Sequence, residues 1–242
     1  MTGVQTCALP ILIYYSALPE INTEKEDSTV AVATTNKTSV LQFPHLVLGV
    51  IALFLYVGVE VMAGDTIISY GASQQIKLET ARYFTTCTLF SMIVGYLIGI
   101  VCIPKYFTQQ KALVWSAILG VILTIAAILT HGYVSVACIA LLGLANSLMW
   151  PALWPLALAG LGRFTKIAAS LLVMGISGGA IIPPLYGALV DYLHTNVTPG
   201  LHPGVFDSYS ARYAYMIMVP LYLFILYYSV IGHKAGRSLK VV

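Results

Sequence analysis

From about residue 46 onward the chain alternates long apolar stretches with short polar ones. Six apolar runs stand out, at about 46–70, 83–104, 112–130, 133–162, 167–190 and 213–232. Each is close to or above the ~20 residues that a helix rising 1.5 Å per residue needs to cross hydrocarbon. Backbone groups in hydrocarbon must be paired inside their own segment, and the two-residue alternation of a barrel strand is absent, so the pattern predicts six transmembrane helices. Ahead of them, residues 20–44 carry four acids and two lysines without a sustained helical or strand period, which reads as a flexible connector. Residues 12–18, "LIYYSAL", are too short to span and read as the last turns of a helix before Pro19 and Glu20. The first eleven residues, "MTGVQTCALPI", resemble a translated sequencing adapter behind an initiator Met and are set aside from fold reasoning. A signal peptide does not fit, since no basic segment precedes the short apolar run and no small-residue cleavage site follows it.

Composition agrees with the pattern. Hydrophobic residues make up 59% and charged residues 9% of the 242, and the mean hydropathy is +0.87, outside the range of soluble domains. The fold class expected is therefore an all-α polytopic membrane protein. If successive loops alternate sides, the connector, "PKYFTQQK", "GRFTK" and the tail hold nine of the 12 lysines and arginines. The opposite loops hold only Lys77, Arg82 and Arg212. The positive-inside rule then puts the connector and the C-terminus in the cytoplasm. Cys7 stands apart, and Cys87, Cys102 and Cys138 lie in apolar stretches without metal-ligand spacing, which predicts small buried hydrophobes.

Of the six runs, only the first contains charge, in "LFLYVGVEVMAGDTII". Counted from Leu46, Glu60 lies about 21 Å into a ~30 Å core, whereas Asp65 is near the outer interface at about 28 Å. A carboxylate at the depth of Glu60 costs on the order of 2.5–3.5 kcal/mol if it faces lipid. It should therefore face a cavity or a partner. Tyr56 and Gly64, one turn away on either side, share its face. Three roles fit these facts: a polar wall of a substrate cavity, direct proton coupling, or a structural hydrogen bond.

The fourth run places Asn146, Trp150 and Trp154 at i, i+4 and i+8. An amide that bonds hydroxyls and indole faces that cover C–H surfaces suit a sugar. The alternative is an interhelical hydrogen bond from Asn146 with packed tryptophans. In the fifth run, "LLVMGISGGAIIPPLYGALVDYL", three closely spaced glycines and a Pro pair predict a closely packed helix that is kinked or locally broken, as transporter helices near a substrate path often are.

Together, "LGVIALFLYVGVEVMAGDTI", "LLGLANSLMWPALWPLALAGLGRFTK" and "SLLVMGISGGAIIPPLYGALVDYL" resemble the C-terminal half of the fucose/glucose/galactose:proton symporters of the major facilitator superfamily. The resemblance runs from about Leu12 to the C-terminus. It implies a twelve-helix parent of two six-helix bundles that holds its substrate between them and exposes it to each side in turn. On that reading residues 12–19 are the end of helix six and 20–44 the cytoplasmic central loop. Residues 45–233 form the C-terminal bundle and 234–242 a cytoplasmic tail. It further implies a sugar substrate, the proton as coupling ion, surrounding lipid, a missing N-terminal half, and a bacterial inner membrane. The candidate substrate-binding residues are Glu60, Tyr56, Asn146, Trp150 and Trp154.

The rival classes lack signatures. A six-helix channel or facilitator pore for a small neutral solute would show paired Asn-Pro-Ala boxes, a TVGYG-like filter or a ring of charge. An intramembrane enzyme would show HExxH or a clustered Ser, His and Asp, but His45, His131, His194, His202 and His233 all sit at span ends or in loops. No catalytic residue, cofactor, metal or nucleic-acid partner is expected.

Overall fold

The computed structural model of the chain describes residues 39–103, 105–197 and 208–236. The adapter-like start, the proposed stub at 12–19, most of the connector, and the tail beyond residue 236 lie outside the described residues. The structure begins where Ser39 Oγ accepts from the Leu41 N–H at 3.4 Å and opens a 3-10 turn at Val40–Gln42. Pro44 then starts α1 (Pro44–Asp65), at a position where an absent N–H would have had no helical partner.

Six helical spans are long and apolar enough to cross a membrane, in agreement with the hydropathy pattern. After α1 comes a short α2 (Ile67–Ser73), which rides beyond the first span. Next are α3 (Leu78–Cys102) and α4 (Gln109–Leu129), the second and third spans. The fourth span consists of α5 (Gly132–Ser147) and α6 (Met149–Leu158), and the fifth of α7 (Thr165–Met174) and α8 (Gly178–Val197). The sixth is built from α9 (Ser208–Ala214) and α10 (Met218–Val230).

The core is centred on α1, which packs against α8, α10, α6 and α7. In their most apolar stretches the first and fourth spans are 56% and 61% buried, against 17% and 28% for the second and fifth. The first and fourth spans are therefore the most deeply embedded, with the third and sixth, at 39% each, between the extremes. The second and fifth leave wide apolar faces, including Phe90, Leu97 and Ile100 on α3 and Met174, Ile181 and Leu185 on the fifth span.

Three spans are interrupted, each for a local reason. In the fourth, α5 stops at Ser147, because Pro151 has no N–H to give the Ser147 carbonyl. In the sixth, a 3-10 turn at Tyr215–Ile217 precedes Pro220, which likewise cannot bond the Met216 carbonyl. The fifth span carries the local break that the sequence predicted, but as a 3-10 turn at Gly175–Ser177, several residues before Pro183 and Pro184. Here the glycines decide the geometry: a Cβ at Gly178 would overlap the Phe54 carbonyl, and one at Gly175 would lie 3.3 Å from the Phe54 nitrogen. The fifth span thus presses its backbone onto α1.

The cysteines depart from expectation. Cys87 is exposed and Cys102 and Cys138 are only partly covered. Where the surroundings are hydrocarbon, an outward thiol gains little from burial and need not be in the core.

Candidate functional site

Tyr56 and Glu60 stand one turn apart on α1, and the chain's one deep carboxylate is half-buried rather than sealed. Tyr56 is buried and interacts electrostatically with the Glu60 carboxyl one turn away. Glu60 also interacts electrostatically with Tyr96 of α3 and Tyr222 of α10. Beside it, Gly64 faces open space, with nothing within 4 Å of where a Cβ would stand. The carboxyl therefore has phenols for neighbours and an accessible flank, and it does not face lipid alone. Asp65 is exposed at the end of α1.

From Tyr56 a chain of aromatic rings leads to both tryptophans named from the sequence. The Tyr56 and Trp150 rings lie 6.3 Å apart, and Trp150 and Trp154 lie 5.8 Å apart, both tilted. The indole N–H of Trp154 is buried without a hydrogen-bond partner. Trp150 and Tyr96 border a cleft of about 290 Å³ between α3 and α6, together with Gly99, Ile100 and Pro151.

Asn146 makes the interhelical hydrogen bond that stood as the alternative to a substrate contact. It is 1% exposed, and its Oδ1 accepts from the Tyr222 hydroxyl at 2.8 Å, which ties the fourth span to the sixth. The break at Leu148 also separates it from the helix that carries the tryptophans. Its carbonyl is spent on protein, so what Asn146 does chemically is hold Tyr222. Tyr222 in turn packs its ring where a Cβ on Gly120 of α4 would stand.

Tyr96 and Tyr222 were not singled out from the sequence. Both sit inside apolar runs among many tyrosines, where the only signal available was that a phenol far from a span end needs a hydrogen-bond partner.

A second polar network lies toward the other end of the bundle. Tyr70 bonds Ser135, Tyr215 shares a 2.6 Å hydrogen bond with Thr66, and the Tyr186 hydroxyl donates to the Ala211 carbonyl at 3.2 Å. The Tyr215 ring lies 4.8 Å from both Tyr70 and Tyr186. Arg212 contacts His131 beside it. Every hydroxyl here is bonded within the protein, so this network closes the bundle rather than presenting groups to a solute.

The histidines within the described residues stand near span ends, as read. Nε2 of His45 lies 3.2 Å from the Ala159 carbonyl, and Nδ1 of His233 3.2 Å from the Tyr228 carbonyl. His202 lies outside the described residues. Among the described residues, no group of three His, Cys, Asp or Glu side chains is placed to hold a metal ion. What the Glu60 cluster can do is accept hydrogen bonds from hydroxyls and offer flat aromatic faces, in a setting with little competing water.

Comparison with known proteins adds a length relationship as well as a likeness. The chain is 30% identical over 217 residues to the glucose/galactose transporter of Brucella abortus, a match covering 87% of this chain and 48% of that protein. It is 27% identical over 192 residues to the L-fucose-proton symporter of Haemophilus influenzae, covering 79% and 42% respectively. Among solved structures, that of FucP, a major facilitator superfamily transporter in the outward conformation, superposes with a TM-score of 0.62 at 22% identity, over 76% of this chain and 42% of that one. No family model matches the chain. The chain spans about half the length of the curated relatives it matches.

Proposed function

We propose that this chain, whose fold is that of one six-helix half of a major facilitator superfamily transporter, is the C-terminal half of a proton-coupled carrier for a hexose or deoxyhexose of the glucose, galactose or fucose type. The observation that carries the reading is the cluster inside the bundle, where Glu60, Tyr56, Tyr96, Tyr222 and Trp150 converge from the first, second, fourth and sixth spans. The names of its relatives, a glucose/galactose transporter and an L-fucose-proton symporter, support the substrate class and the coupling ion. Glu60 accepts from sugar hydroxyls and Trp150 covers an apolar sugar face, with Trp154 behind it as a second indole. Tyr56 orients the carboxyl. Asn146 is a positioning residue acting through Tyr222.

The partner is a second six-helix bundle. The wide apolar faces of the second and fifth spans are suited to receive it, and alternating access requires one bundle to rock against the other. The nine-to-three distribution of lysine and arginine supports a cytoplasmic connector and C-terminus, in a bacterial inner membrane.

The test is counterflow of labelled hexose in vesicles that contain this chain together with its complementary half. Saturable counterflow supports a carrier. Conductance or leak without counterflow would replace it with a channel, and product formation from a lipid or peptide would replace it with an enzyme.

A further inference from the structure

The second and third spans follow one another in the chain and are joined by only a short connection, yet both pack on α5 and scarcely on each other. Between them, at the end nearest that connection, lies an open groove of about 380 Å³. Ile98 and Cys102 form one wall, Trp115 and Leu119 the other, and Leu144 and Leu148 of the fourth span the floor. Among the described residues that line it, the polar side-chain groups are the Ser116 hydroxyl, the Cys102 thiol and the Trp115 indole N–H. In a bilayer such a groove is filled, because unfilled apolar surface forfeits its dispersion contacts and the surroundings supply chains to restore them.

The mouth of the groove has a sign. Lys105 and Lys111, both exposed, flank its lining residues Ile103, Phe107 and Ala112, and the Lys105 ammonium lies 5.5 Å from the Tyr106 ring. The sequence contains no acidic residue between Glu79, at the opposite end of α3, and Asp191, so the connection that carries both lysines and the span ends it joins hold no carboxylate of their own. Trp115, 62% exposed, places an amphipathic indole on the same rim. We infer that this groove is a binding site for an anionic phospholipid, with one acyl chain lying between α3 and α4 and the phosphate held by Lys105 and Lys111. The inference needs the membrane placement of the chain but not the sugar reading. The lysines belong to the loops assigned to the cytoplasm, the side on which anionic headgroups meet juxtamembrane basic residues.

The test uses the intact carrier in vesicles doped with phosphatidylglycerol carrying a photoactivatable acyl chain, with adducts located by peptide mass spectrometry. Adducts should concentrate on residues 98–119 and 144–148 over Ile122 and Leu129, apolar positions on α4 that are equally open. Unlabelled phosphatidylglycerol should compete better than phosphatidylcholine, by about fivefold for each lysine engaged. The surface pair Lys105→Gln and Lys111→Gln should abolish that preference while leaving acyl labelling in the groove. Adducts spread evenly along α4, or equal competition by the two lipids, would reduce the groove to ordinary lipid contact and overturn the proposal. Absence of adducts from the groove would overturn it in favour of a covering protein surface.

Discussion

Replacing Tyr222 by Phe removes one hydroxyl from the centre of the bundle and nothing else. The ring keeps its place over Gly120, but the Oδ1 of Asn146 loses the donor that stood 2.8 Å away. Asn146 is 1% exposed, so water does not readily replace it. Hydrogen bonds between transmembrane helices average about 0.6 kcal/mol and reach about 1.7, and a buried acceptor left unpaired costs about 1–3 kcal/mol. Tyr222→Phe should therefore lower stability by about 1–2 kcal/mol. Asn146→Ala should cost at least as much, since it also opens a small cavity. If the two side chains act through each other, the double variant costs less than the sum, with a coupling of about 0.6–1.7 kcal/mol. The assay is unfolding of the purified carrier in mild detergent, alongside hexose affinity for the same four proteins. A coupling of zero would refute the hydrogen bond. An Asn146→Ala variant that keeps its stability but loses sugar affinity would refute the positioning role and restore Asn146 as a direct substrate ligand.

Gly178→Ala should destabilise the bundle by about 1–3 kcal/mol, because the new methyl meets the Phe54 carbonyl of α1 and the backbones must separate. An unchanged unfolding midpoint would contradict that close approach. Cysteines introduced as Thr108→Cys and Ser238→Cys should react with impermeant reagents only from the cytoplasm, and Ser208→Cys only from outside. Labelling of Ser208→Cys and Ser238→Cys from one side would refute the odd number of crossings between them. Residues 12–242 expressed alone should show no hexose uptake above empty vesicles, since one bundle has nothing to rock against. Uptake by that chain would overturn the half-carrier account.

The six spans were legible because lipid imposes a single strong requirement, apolar length with internally paired backbone, and each run satisfies it by itself. Helix starts were less so. Hydropathy places the second span at residue 83, but the helix begins at Leu78 with a turn that includes Glu79 and Arg82, and the third begins at Gln109 because Thr108 caps it. Polar first turns reach beyond the hydrocarbon and leave no hydropathy signal. The interruption at Leu148 was readable in principle from Pro151, but the i, i+4, i+8 spacing of Asn146, Trp150 and Trp154 hid it by assuming one continuous helix. Glu60 and Tyr56 were legible as candidates because a charge in hydrocarbon demands an explanation. Tyr96 and Tyr222 gave no such signal, because their contacts with Glu60 and Asn146 run across helices far apart in sequence. Asn146 and Tyr222, for example, are brought together because the fourth and sixth spans both pack on the third.

The central claim is that Glu60 meets the sugar, and the affinity of Glu60→Gln for hexose in the intact carrier tests it most directly. Glutamine keeps the shape and one acceptor oxygen, so binding should weaken by about 1–3 kcal/mol, roughly 5- to 150-fold, while proton-driven accumulation survives at saturating sugar. If Glu60 instead carried the coupled proton, counterflow and affinity would stay near wild type while accumulation against a gradient vanished. If it were only structural, Glu60→Gln would be nearly neutral and Glu60→Leu would mainly lower the yield of folded protein. Unchanged hexose affinity in Glu60→Gln would contradict the account.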